Sequence, residues 1–326
     1  MVTSVGYWDT SLLTIGQAAK LLNVHPDTLR RWERQGVLAT VRVGSRKDRR
    51  YRHEDLLAMT QQDVTTNTPQ QMNSTSNKHQ IKKIQTSLHQ ASWIFFDIGY
   101  TLMALFQSRG DVYAEIAYHH GYNLNPLLIQ QNFNKLEEEW NKEKILSHPV
   151  VHAFQPTVSE HYAQFNAEIL MRSGIPRNEK TLAVTIGKEI FDTVFTDYTQ
   201  WRTFTNVEKF LGLLKKQGKK MAVVENWDNR LTNFIKKWRL DSYFEFILPG
   251  GGLNLRKPDP RIFELALQRA HAKPETTIHI GDVYVDDILG AKKAGITPLL
   301  FDVTRRFMKE DCLKFYSYQE LIDGIK

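Results

Sequence analysis

Beyond residue 92 the chain carries five short apolar runs. They are Trp93-Ile94-Phe95-Phe96, Met221-Ala222-Val223-Val224, Phe246-Ile247-Leu248, Thr277-Ile278-His279-Ile280 and Pro298-Leu299-Leu300-Phe301. Runs of three or four residues, nearly all apolar, predict strands buried on both faces, and helix-length segments separate them. This arrangement predicts an α/β fold with a parallel sheet and crossover helices. After the first run, residues from about Asp111 to Tyr198 read as one long helical stretch. At the other end of the chain, Ile15, Ala18, Ala19 and Leu22 share one helical face, with Thr14 placed to cap the start. After a turn at Asn23-Val24, a second helix opens near Pro26 and stops at Gly36. Val41-Arg42-Val43 and Arg50-Tyr51-Arg52 flank a polar segment as two strands of a hairpin would. From Gln61 to Asn77 there is almost nothing to bury, which predicts a flexible linker over 61–91. Within it, Ile81, Ile84 and Leu88 recur at helical spacing. They read as a short helix packing on its own downstream domain, with a docking or dimer helix as the alternative.

Composition adds class rather than detail. The 326 residues are 41% hydrophobic and 24% charged, a globular balance with room for two domains and a small third. No stretch approaches the roughly 20 apolar residues of a membrane span. The first residues lack a basic start and an apolar signal core, so a cytoplasmic location and no membrane partner are expected. A single cysteine, Cys312, excludes an internal disulfide and a cysteine-rich zinc module.

The position of the charge matters more than its sum. The net charge is +7, and residues 1–90 hold 13 basic against 7 acidic side chains. Between Arg30 and Arg52 there are nine basic residues against two acids, Glu33 and Asp48. Such density on a helix-turn-helix and its hairpin suits phosphate neutralisation on double-stranded DNA. The string TIGQAAKLLNVHPDTLRRWERQGVL…RRYRHEDL resembles the winged helix-turn-helix of the MerR family and its excisionase-like relatives. That resemblance covers about residues 12–60 and places a winged helix-turn-helix domain at 1–60. It implies that Asp27, Thr28, Arg30 and Arg31 face DNA from the recognition helix, while Arg49, Arg50 and Arg52 reach it from the wing. Tyr51 either joins them or packs inside the wing, and Trp32 is assigned to structure. MerR proteins act as dimers, but no long coiled-coil helix follows the wing here, so a homodimer stays open.

The body carries acids at strand ends, where open α/β sheets bind ligands. Asp97 ends the first strand, and Asp282 ends another, with Asp286 and Asp287 within a turn. Lys257 precedes a proline-started helix in Arg256-Lys257-Pro258-Asp259-Pro260. Carboxylates from two strands suit a hard cation such as magnesium, and the lysine supplies a point charge for an anion. His279 reads as a core or interface histidine. Asp228 and Asp259 read as caps of the helices that follow them.

The segments FFDIGYTL, VVENWD, KPDPRIF and HIGDVYVDDILGAKKAGI, in this order, resemble the haloacid dehalogenase-like (HAD) hydrolases over residues 92–326. The resemblance implies a HAD-like Rossmannoid sheet with a helical cap at about 106–203. It implies Asp97 as nucleophile, Lys257 as the anion-stabilising lysine, and Mg2+ held by Asp97, the Gly99 backbone carbonyl, Asp282 and Asp287. Asp286 occupies the adjacent, secondary slot. Two positions depart from the pattern. Gly99 stands where the acid/base aspartate belongs, a loss that typically forfeits about 10²–10⁴-fold in rate. Glu225 stands where a phosphate-binding serine or threonine belongs, and a carboxylate there repels phosphate unless it is protonated or metal-bound. A hydrolase using Glu225 as an alternative base or metal ligand is the other reading. The implied function is a DNA-binding transcriptional regulator whose HAD-like domain binds Mg2+ and a phosphorylated or other anionic small molecule, with catalysis impaired. An active Mg-dependent hydrolase carrying a DNA-binding module is the alternative, and an interaction scaffold is a third.

Overall fold

The structure is a computed structural model. It describes residues 12–21, 29, 30, 33, 38–43, 48–52, 55, 56, 74–105, 107–146, 158–253 and 255–324. Its contacts divide the chain into two units, residues 1–79 with 302–310 and residues 80–301 with 311–326.

The first unit holds β1 (Leu12–Thr14), α1 (Ile15–Leu21), β2 (Val41–Val43) and β3 (Asp48–Arg52). Thr14 and Gln17 start α1 with a reciprocal box. The Gln17 N–H donates to Thr14 Oγ1 at 3.3 Å, and the Thr14 N–H donates to Gln17 Oε1 at 2.9 Å. The hairpin forms as expected, β2 against β3 in antiparallel register with Val41 opposite Arg50. β1 adds a third strand on the other side of β3, with Leu13 opposite Tyr51. A three-residue strand is too short to show a period, which is why the sequence does not announce it. Because β3 is central, one of its faces must be covered, and Tyr51 turns inward. It is fully buried with Ala18, Ala19, Leu29, Leu38 and Leu56. Asp27, Thr28, Arg31 and Trp32 lie outside the described residues.

α2 (Ser74–Gln90), which belongs to the second unit from Gln80 onward, contradicts the expectation of a flexible linker reaching to residue 91, and its later part agrees with the helix expected from Ile81. Its apolar side chains Ile84 and Leu88 are buried. From Gln80 onward it is tied to the end of the chain, the Gln80 amide donating to the Lys314 carbonyl at 2.6 Å and the Gln85 amide to the Glu320 carbonyl at 3.3 Å. Its polar sequence is a weak helix signal by itself, and these distant partners hold it.

The remaining elements alternate as the apolar runs predict. In order they are β4 (Trp93–Phe96), β5 (Met103–Leu105), α3 (Arg109–His119), α4 (Pro126–Leu146), α5 (Val158–Arg172), α6 (Lys180–Thr196) and β6 (Trp201–Thr203). Then come α7 (Val207–Lys216), β7 (Lys220–Glu225), α8 (Arg230–Lys237), β8 (Phe246–Pro249), α9 (Pro260–Ala270) and β9 (Thr277–Gly281). A π-helical turn (Tyr284–Leu289), α10 (Gly290–Lys293), β10 (Thr297–Phe301), β11 (Lys314–Phe315) and α11 (Tyr318–Ile322) complete the unit. Six strands form one sheet in the order β11-β10-β9-β4-β7-β8. Every neighbouring pair is parallel. This is the α/β architecture the runs imply. Phe95, Ala222, Val224, Ile262 and Phe263 are fully buried between the sheet and α9. β5 and β6 form a separate antiparallel ribbon whose strands bracket α3–α6, so the helical insertion leaves and rejoins the body through one narrow stem. Among the described residues no helix is long and apolar enough to cross a membrane.

Candidate functional site

Strand order puts the chemistry at one edge. β4 lies between β7 and β9, so the residues leaving the C-terminal ends of these three strands converge. Asp97 follows β4, Glu225 ends β7, and Asp282 follows β9. Asp287 arrives from the π-helical turn, where its Oδ2 accepts the Val283 N–H at 2.9 Å. It passes directly over Gly281, where an added Cβ would lie 2.1 Å from the Asp287 carboxyl carbon. Only glycine permits that approach.

Lys257 is the hub. Its ammonium donates to Asp97 Oδ1 and to Asp287 Oδ1, both at 2.7 Å. Asn226 holds its backbone from two sides, accepting the Lys257 N–H at 2.6 Å and donating to its carbonyl at 3.3 Å. Burial alone would lower the lysine pKa, but the facing Asp287 and Asp97 carboxylates carry it well above its ordinary range. Asp287 moves the other way. Burial opposes its ionisation, yet Lys257 and His279 hold its carboxyl well below the usual range. Asp97 is pushed well up by burial and by the Glu225 and Asp287 charges, with Lys257 opposing. Burial and the Asp97 and Asp287 charges likewise raise Asp282. The network thus contains one firmly charged pair, Lys257 and Asp287, with two further carboxyls crowded against it.

A metal fit can be judged from the donors. Oxygens of Asp97, Asp282 and Asp287 all lie within 4.8 Å of one another. Asp97 Oδ2 is buried and accepts no hydrogen bond among the described residues. Crowded carboxylates with an unpartnered oxygen suit a hard divalent cation, so these residues fit Mg2+. Gly99 lies two residues past Asp97 and bridges to Met103.

Other participants are not visible as site residues in the sequence. His279 is fully buried, its Nε2 2.9 Å from Asp287 Oδ1, and burial keeps its pKa below the ordinary value. It does belong to the core, and it also braces a site carboxylate. Its alternation with Gly281 along β9 is the signal that could have placed it on the site face. Thr101 Oγ1 donates to Asp282 Oδ1 at 3.3 Å. Asn226 also reaches Asp286 Oδ2 at 3.4 Å. From α5, the Tyr162 hydroxyl comes close enough to the acids for its pKa to be pushed up to about 12, by burial and then by Glu225, Asp286 and Asp97, with Arg256 opposing. Asp259 caps α9 as expected, accepting the Arg261 N–H at 3.0 Å, whereas Asp228 lies one residue before the cap position of α8, Asn229, and accepts the Arg230 N–H at 3.0 Å.

The two departures from the resemblance have definite surroundings. Glu225 is buried, and its carboxylate bridges two backbone amides. Oε2 accepts the Ile98 N–H at 3.1 Å, and Oε1 accepts the Asn226 N–H at 2.9 Å. At Gly99, an added Cβ would lie 3.2 Å from Trp227 Cζ2. The indole, packed edge-on against Trp201 and Phe234, stands where a longer side chain at position 99 would begin.

In the first unit, β3 splits the wing arginines by the two-residue period of a strand. Arg49 shares the face of Tyr51, and its Nε sits 2.6 Å from Glu33 Oε2. Arg42 joins the same glutamate at 2.8 Å, as does the Thr40 hydroxyl at 2.6 Å. Arg50 and Arg52 occupy the opposite face, and Arg30 is exposed.

Comparison with known proteins places both units. Residues 124–301, more than half of the chain, match the family described as haloacid dehalogenase-like hydrolase. The chain belongs to that family. Residues 12–63 match a helix-turn-helix domain. The chain is similar to haloacid dehalogenase-like hydrolase domain-containing protein 3 of Mus musculus, 26% identical over 229 residues, covering 65% of this chain and 82% of the relative. It is also similar to glyceraldehyde 3-phosphate phosphatase of Pyrococcus furiosus, 33% identical over 112 residues, covering 32% of this chain and 45% of that enzyme. Among solved structures, the HAD-hydrolase YfnB of Bacillus subtilis bound to magnesium superposes with a TM-score of 0.56 at 15% identity, covering 72% of this chain and 99% of that one. That likeness is one of fold.

Proposed function

We propose that this chain is a DNA-binding transcriptional regulator whose HAD-like domain binds Mg2+ and is impaired as a phosphatase. The observation that carries the second half is the Glu225 carboxylate seated on the amides of Ile98 and Asn226, beside Asp97. Asp97, Asp282 and Asp287 would hold Mg2+, with the Gly99 carbonyl as a further oxygen donor. Bound there, the ion would neutralise the crowded carboxylates and supply a Lewis acid. Lys257 orients Asp97 and balances Asp287. What the site lacks is a proton donor or acceptor at position 99, since glycine carries none and Trp227 lies against it. It also lacks an open anion position beside Asp97. The first half rests on the helix-turn-helix match and on the exposed basic side chains Arg30, Arg42 and Arg52. Asp27, Thr28, Arg30 and Arg31 on the recognition helix, with Arg50 and Arg52 on the wing, are the DNA contacts of this proposal. Arg49 joins them when its bond to Glu33 opens.

The retained Asp97–Lys257–Asp287 network favours one competing reading, an active Mg-dependent hydrolase that carries its DNA-binding module for localisation. Mobility-shift assays on genomic fragments, with and without Mg2+, separate the two when paired with turnover of a phosphate-ester panel. The regulator binds DNA at low salt and releases no phosphate. Phosphate release that disappears in Asp97→Asn makes the chain an enzyme.

A further inference from the structure

We infer that the anion-binding cradle at the ends of β4 and β7 is filled by the chain's own Glu225 carboxylate, which keeps free phosphate and other oxyanions out. The inference deepens the regulator reading and rests on it, since it names what the HAD-like site refuses.

The argument starts from the register. β4 and β7 pair in parallel with Phe96 opposite Val223, so residues two places further on, Ile98 and Glu225, are neighbours where the strands splay. There the amides of Ile98 and Asn226, each following a strand-end acid, converge on one point. Converging backbone N–H groups next to a lysine ammonium form a concavity for an anion. The occupant is Glu225, one oxygen on each amide, and the whole residue is 4% exposed. Lys257 feels its charge as well as those of Asp287 and Asp97. A phosphate taking the same two donors would leave a buried carboxylate without partners, next to Asp97. It would also bring further negative charge within a few ångström of both acids. The tethered carboxylate holds its place without any loss of translational freedom, whereas free phosphate must lose it. Two residues along, Trp227 covers the space beside Gly99. One segment, 225–227, therefore fills the anion position and crowds the position from which an acid/base would act. The small molecule expected from the resemblance, phosphorylated or anionic, is on this account excluded at this point of the site.

The test is calorimetric titration of inorganic phosphate into the full chain with Mg2+ present. Wild type is expected to show no saturable binding, whereas Glu225→Ser and Glu225→Ala gain phosphate affinity by at least about tenfold, the scale of a freed charge-assisted hydrogen-bond pair. All three are expected to shift DNA equally. Phosphate binding by wild type as tight as by Glu225→Ser overturns the inference, and so does a folded Glu225→Ser that gains nothing. Hydrogen exchange on wild type gives a reading that needs no variant. The Ile98 and Asn226 amides are expected to be protected in anion-free buffer, and protection that appears only on adding phosphate overturns the inference. Phosphate binding without ester turnover would sink this inference alone, while ester turnover by wild type would sink the regulator reading itself.

Discussion

Two charge networks of similar size, one in each unit, differ sharply in exposure. In the HAD-like domain, Lys257, Asp97 and Asp287 have side chains 2%, 7% and 1% exposed. In the helix-turn-helix unit, Glu33, Arg42 and Arg49 are 18%, 48% and 28% exposed. Bond lengths are much alike, 2.7 Å in the first and 2.6–2.8 Å in the second. Distance therefore says little about energy here, and burial says most. A buried charge that loses its partner has nowhere to be solvated, whereas an exposed one turns to water. The first network is structural before it is anything else. The second is a more exposed clasp, and on the proposed regulator reading its opening would free two arginines for phosphate.

The sharpest way to break the comparison is Lys257→Met, which leaves Asp97 and Asp287 facing each other without a cation. We expect a loss of about 3–5 kcal/mol in urea unfolding, little changed between low and high salt. Gly281→Ala comes next. Its methyl would overlap the Asp287 carboxyl, and we expect about 1–3 kcal/mol of destabilisation in the same assay. Glu33→Gln stands at the other pole. It should cost below about 1 kcal/mol, an effect that fades with salt. By releasing Arg42 and Arg49 it should also tighten DNA binding and steepen its salt dependence, measured by fluorescence anisotropy across a salt series. A Glu33→Gln protein with weaker DNA binding and an unchanged salt slope would mean the clasp positions the wing rather than competing with DNA. Burial raises the Glu33 pKa, but the Thr40 bond and the Arg49 and Arg42 charges outweigh it, and the carboxyl sits below its ordinary 4.5. A carboxyl lowered in the folded state stabilises above its unfolded pKa. The clasp therefore holds at neutral pH and fails as pH falls below about 4.5. Arg52→Ala should have the smallest effect, reducing the salt slope by roughly one.

Much of this contrast is legible in the amino-acid sequence alone. The five apolar runs form β4, β7, β8, β9 and β10. The central strands β4, β7 and β9 are buried on both faces and so nearly apolar throughout, while β8 at the sheet edge is mostly half-buried. The strands that the pattern does not announce, β1, β5, β6 and β11, are two or three residues long and show no period. The spacing of Ile81, Ile84 and Leu88 announces the second half of α2, whereas its polar first half, 74–80, reads as linker because it carries no apolar period. Asp97, Lys257, Asp282 and Asp287 stand out as strand-end acids and a lysine, and the fold does bring them together. Glu225 is legible only as a charge in the wrong place. Its two amide partners come from the register of β4 against β7 and from its own backbone, and a register is a property of pairing, not of either strand. His279 is the same lesson in reverse. A histidine inside an apolar run reads as core, which it is, while its bond to Asp287 arises only once β9 and the turn after it are folded together.

The most direct test of the central claim is phosphate release from a broad ester panel with Mg2+, comparing wild type, Asp97→Asn and the double variant Gly99→Asp with Glu225→Ser. The account predicts silence from wild type and Asp97→Asn, with turnover emerging in the double variant once Trp227 yields the few tenths of an ångström that a side chain at 99 requires. Turnover by wild type that is lost in Asp97→Asn would contradict it and make the HAD-like domain a working hydrolase.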